Sequence, residues 1–125
     1  MSKFRFLLAF SFAVILAFGS SRALAAGGIN SVNISKIYVQ PGGGVVVVWF
    51  TTTAGTNPDS CSNSGVVVLY GDYSSTAKAE GMRQTTSTLM SAYLAGKKID
   101  VYSQGCVTYP WGGTAPGLYD VTIHN

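Results

Sequence analysis

The run Val45-Val46-Val47-Val48-Trp49-Phe50-Thr51-Thr52-Thr53 is β-branched or aromatic throughout, which makes it a strand, and both of its faces are apolar. A strand in a sheet with one wet face alternates apolar with polar residues, and this one does not. Two arrangements satisfy it: the strand lies at the centre of a closed barrel, or another subunit covers its second face. Gln40-Pro41-Gly42-Gly43-Gly44 before it is a turn, because proline presets one dihedral and glycine accepts positive φ. Further upstream, Ile29 to Val39 reads as a strand whose alternation, Val32 and Ile34, then Ile37 and Val39, slips once as at a bulge. Downstream, Ala54 to Gly65 is a loop rich in Gly, Asn, Ser, Pro and Asp, and Val66 to Tyr70 is a third strand.

The next segment changes period. Met82, Leu89, Met90, Tyr93 and Leu94 recur at helical spacing, predicting a helix from Thr76 to Ala95 that is capped by Ser74 or Ser75 and stopped by Gly96. Gly81, Thr85, Thr88, Ala92 and Ala95 form a second stripe of small residues beside the large one. That stripe either receives the helix of a second protomer or lies over the protein's own sheet. Ile99 to Ser103 alternates as a strand, Cys106 to Gly117 reads as a loop, and Leu118 to Ile123 is the closing strand. The expectation is a mainly β domain with one helix, an OB-fold-like five-stranded barrel in the order β-β-β-α-β-β. An α+β sheet covered by one helix is the runner-up.

Residues 1–25 carry Lys3 and Arg5, an apolar run from Phe6 to Phe18, and Ala23-Leu24-Ala25, the pattern of a cleaved secretory signal peptide. The run is too short to span a membrane comfortably. Cleavage follows Ala25 or Ala26 and leaves a single domain over residues 26–125 with no membrane span, destined for the periplasm or the medium. The formal charge of +3 belongs largely to that leader. Without Lys3, Arg5 and Arg22, five basic residues (Lys36, Lys78, Arg83, Lys97, Lys98) face five acidic ones (Asp59, Asp72, Glu80, Asp100, Asp120). A near-neutral domain without a cation cluster is not a nucleic-acid binder. In an oxidising compartment Cys61 and Cys106 are expected to form one disulfide; two thiols and one histidine do not make a metal site, and no cofactor motif is present.

Catalytic groups are sparse. His124, the only histidine, is penultimate; Asp100 and Asp120 could meet across neighbouring strands but read as exposed strand positions rather than a hydrolytic pair. A non-enzymatic protein is expected. The binding candidates are Tyr109 and Trp111 in a glycine-bearing loop, flat rings with polar tips suited to stacking on sugars or to a protein contact; the alternative is that they fold back to seal the barrel end. Asn33-Ile34-Ser35 fits a glycosylation acceptor, but it falls in a predicted strand.

Ser87-Thr88-Leu89 on the helix, then Gly96-Lys97-Lys98-Ile99-Asp100-Val101-Tyr102 and Tyr109-Pro110, resemble the subtilase cytotoxin B-subunit family of small secreted bacterial proteins, over about the last forty residues. The resemblance implies an OB-fold protomer that assembles as a ring of five, binds cell-surface glycans and carries a separate enzymatic chain. Thr85, Thr88, Ala92 and Ala95 would then line the oligomer interface. Ser103 stands where the family presents a glycan-contacting tyrosine, and with Tyr109 and Trp111 completes the expected ligand-binding set. A protein-interaction or inhibitor module without sugar binding is the competing expectation.

Overall fold

The computed structural model describes residues 27–40 and 44–125. The expected signal peptide, and Pro41 to Gly43 of the expected turn, lie outside the described residues. Among those described, the protein is mainly β with one helix: β1 (Gly27–Val32), β2 (Ile34–Val39), β3 (Val45–Phe50), β4 (Val66–Tyr70), α1 (Thr76–Ala95), β5 (Ile99–Thr108) and β6 (Thr114–Ile123). The strands form one sheet in the order β1-β5-β6-β4-β3-β2, antiparallel except for the β4–β6 pair.

Two points correct the expected five-stranded barrel. The strands number six, and the hydrogen-bonded order is open between β1 and β2. Both trace to the slipped alternation upstream of the turn. Ser31 adopts a positive φ of 55° and gives its N–H to Asp100 Oδ1 at 2.7 Å rather than to a ladder, so the β1–β5 register breaks between Ile29 and Val32. The carbonyl of Asn33, the single residue between the two strands, accepts from Thr51 N–H at 3.0 Å. β2 then resumes on β3 with its own irregularity between Ile34 and Lys36. One sequence segment becomes two strands that pair with opposite ends of the sheet.

The helix runs over the expected residues. Ser75 caps it with Oγ accepting from Lys78 N–H at 3.3 Å, and Gly96, at φ 62°, ends it with Lys97 N–H donating to Ala92 O at 2.9 Å. Its inward face is Met82, Leu89 and Ala92. Of the large stripe, Met90, Tyr93 and Leu94 instead face solvent, because the helix rests on β2 and β6 along a narrow line. The small stripe lies partly over the protein's own sheet. Ala92 is fully enclosed there and is not available to a second protomer, Thr85 and Thr88 are half-buried, and Gly81 and Ala95 are exposed. Thr88 uses its hydroxyl within the helix, on Gln84 O at 2.9 Å.

β3 is apolar on both faces because it serves two cores. Val46, Val48 and Phe50 join Ile29, Val67, Leu89, Ile99, Val101 and Leu118 inside. Val45 and Val47 face the other way, with Val66, Val68 and Ala115, and are bordered by Tyr38, Trp49, Val107 and Tyr109. The second face is therefore covered by the protein's own chain, an arrangement that neither sequence alternative contained. The cover comes from the segment expected to be a loop: β5 and β6 run on through Cys106↔Pro116, Val107↔Ala115 and Thr108↔Thr114. The hairpin turns across β3 and β4 where its register shifts between Ser103 and Cys106. Gly105 there has φ 95°, and a Cβ on Gly117 would lie 2.8 Å from Val107 Cγ1. The Cys61–Cys106 disulfide, with Cα atoms 5.5 Å apart, ties this bend to the 51–65 loop.

Candidate ligand-binding site

The far end of the β5–β6 hairpin carries the aromatic residues singled out in the sequence. Gly112 N–H donates to Tyr109 O at 3.1 Å and Tyr109 N–H to Gly113 O at 2.9 Å, closing a tight turn with Pro110 in its second place. Gly112 and Gly113 take φ values of 115° and 76°, which side chains with a Cβ resist. This leaves Trp111 projecting from the apex. Its ring meets Tyr38 edge-on at 5.2 Å, Tyr109 edge-on at 5.4 Å, and Trp49 at 5.6 Å with a tilt of 38°. Such offset and edge contacts are the favoured geometries for aromatic quadrupoles.

The partners come from three elements. Lys36 and Tyr38 share a face of β2 by the two-residue period, and Lys36 is the register partner of Trp49 on β3, with Nζ 4.7 Å from the Trp49 ring centroid. Tyr109 is half-buried against the outer core, whereas Trp111 keeps 56% of its surface exposed. The hairpin thus folds its aromatic residues back onto the flank of the sheet and keeps one indole in solvent.

No protein-family model matches this chain, and no curated protein matches it. The chemistry of the site rests on its geometry: four rings, one cation and a fixed turn, with no carboxylate among the ring contacts.

Ser103, expected beside Tyr109 and Trp111, lies elsewhere. It is 1% exposed, donates its hydroxyl to Asp59 Oδ2, and sits 3.2 Å from Gly27 O. Asp59 also accepts Gly105 N–H at 3.3 Å, so this part-buried pair fastens the 51–65 loop to β5 next to the disulfide. Sequence reasoning missed Tyr38, Trp49 and Lys36. Their alternation was legible, but nothing local says which strand face a distant hairpin will cover.

The titratable candidates are dispersed. Asp100 pairs in register with Thr122 and Asp120 with Tyr102, so the two carboxylates are not opposite one another. Asp100 Oδ2 is 2.7 Å from His124 Nε2 and its Oδ1 accepts from Ser31, which together hold its carboxyl below the usual aspartate range. Two open grooves flank the helix. One of about 460 Å³ includes Val39, Tyr73, Met82, Arg83 and Met90; the other, about 430 Å³, includes Tyr70, Lys78, Gln104 and Tyr119. Among the described residues no helix is long and apolar enough to cross a membrane.

Proposed function

We propose that the protein is a secreted, non-enzymatic binding module that recognises a cell-surface glycan by stacking a sugar ring on Trp111. The observation that carries this reading is the half-exposed indole held on a three-ring base at the apex of a fixed turn. A pyranose offers a C–H face to an aromatic plane, and a surface already ordered in the free protein loses little entropy on binding. The disulfide and the leader pattern support secretion.

An OB-like barrel is the finer fold we infer. It is supported by the two ends of the sheet order, β1 and β2, being halves of one segment interrupted by Asn33 alone. It is also supported by the parallel contact Val68↔Gly117 and by the helix between β4 and β5, which are the third and fourth strands when β1 and β2 are counted as one. The resemblance to toxin B subunits adds ring assembly and a separate enzymatic chain as expectations. A second reading, docking of a protein partner, is favoured by the exposed Met90 and Leu94, the latter 78% exposed.

The test is retention of the mature protein on an immobilised panel of mono- and oligosaccharides, beside Trp111→Ala. Retention on at least one saccharide, weakened about tenfold by the substitution, is the expected result, since one stacked ring is worth roughly 1.4 kcal/mol. A silent panel, or retention that Trp111→Ala leaves unchanged, refutes the assignment.

A further inference from the structure

We propose that Asn63 is the positioning residue of the Trp111 platform: its carboxamide clamps the turn that carries the indole and keeps the ring on its aromatic base. Asn63 Nδ2 lies 3.1 Å from Gly112 O and 2.9 Å from Thr114 O. The two amide protons thus reach carbonyls on either side of Gly113. The Asn63 backbone N–H also donates to Thr114 O at 2.9 Å, and Ser62 Oγ accepts from Thr114 N–H at 2.7 Å. Residues 62–63 therefore grip the hairpin next to the indole. Gly113 permits the approach, since a Cβ there would overlap Ser62 Oγ and stand 3.2 Å from Asn63 Nδ2.

A clamp is needed because the turn is compliant by itself. Two successive glycines at positive φ follow Trp111, and glycine has the widest range of backbone conformations. The ring contacts at 5.2–5.6 Å hold only while the turn keeps its angle. Asn63 makes this choice through the backbone, since its partners at the turn are carbonyls and not rings. Aspartate has the same shape but no donors, and would set a carboxylate against those two oxygens.

The role in fixing Trp111 stands on the geometry alone, and its effect on ligand affinity rests on the proposed sugar-binding function. The experiment is fluorine NMR of the fluorotryptophan-labelled mature protein, which has one resonance for each of its tryptophans, Trp49 and Trp111, assigned with Trp111→Phe. Asn63→Asp should move the Trp111 resonance toward that of exposed indole. It should also weaken the best saccharide of the panel about tenfold. Asn63→Ala removes the donors without adding charge and should give the same shift, which decides the matter if N63D does not fold. Leu89→Ala, in the inner core, should lower the unfolding midpoint and leave the Trp111 resonance in place. A Trp111 resonance unmoved by N63A, or moved as much by L89A, overturns the proposal. A moved resonance with a silent saccharide panel leaves the clamp standing and removes the sugar reading.

Discussion

Val47 and Val48 are neighbours in one strand that point to different cores, and substituting each in turn measures what the hairpin contributes to the fold. Val47 is 0% exposed in the outer cluster and Val48 is 1% exposed in the inner one. Valine to alanine removes the equivalent of two methylenes, roughly 1.6 kcal/mol of transfer free energy, and the unfilled volume adds up to about 1 kcal/mol more. Because both sites are closed, V47A and V48A should each destabilise the protein by about 2–2.5 kcal/mol. For a domain of about a hundred residues, that lowers the thermal midpoint by roughly 10–20 °C. Urea unfolding followed by circular dichroism gives the free energies, with the slope unchanged from wild type if the transition stays two-state. The outer core exists because the β5–β6 extension folds over it, so reducing the Cys61–Cys106 disulfide should shrink the V47A effect and spare that of V48A. An effect of V47A below about 0.5 kcal/mol, the range of surface substitutions, beside a full effect of V48A would refute the two-core account.

Two more predictions follow from the same contacts. Cys61→Ser with Cys106→Ser removes a link across 45 residues, which should cost about 4 kcal/mol in the chain-entropy picture and also release the aromatic turn, read as lost near-ultraviolet dichroism. The depressed Asp100 carboxyl stays charged in the folded protein at pH values where the unfolded chain takes up a proton, so its contribution is complete above about pH 4 and is lost as pH falls through the depressed value. Asp100→Asn should therefore flatten the acid limb of the unfolding midpoint, and an unchanged limb would count against the Ser31 and His124 contacts.

The helix was legible in the sequence because its signals are local: Ser75 at the start, Gly96 at the end and an apolar period between them. The slip in the first strand was legible too, but its consequence was not. A bulge and a break look alike until the halves choose partners, and Asp100, which holds Ser31, lies 69 residues away. Pro116 and Gly117 read as loop residues, although glycine and proline also mark bends within strands, as here. At the site, Tyr109 and Trp111 were visible as a pair, whereas Asn63 sat in a stretch of polar loop residues with nothing to distinguish it. Its role depends on the hairpin 51 residues further on folding back to meet it.

The Trp111 platform draws on Lys36 and Tyr38, on Trp49, on Asn63, and on the turn after Tyr109, pieces that span most of the described chain. A nascent protein therefore lacks the aromatic platform until its final hairpin has closed. Under the proposed reading, ligand engagement would report a finished molecule, and intermediates of its maturation would be blind to the ligand.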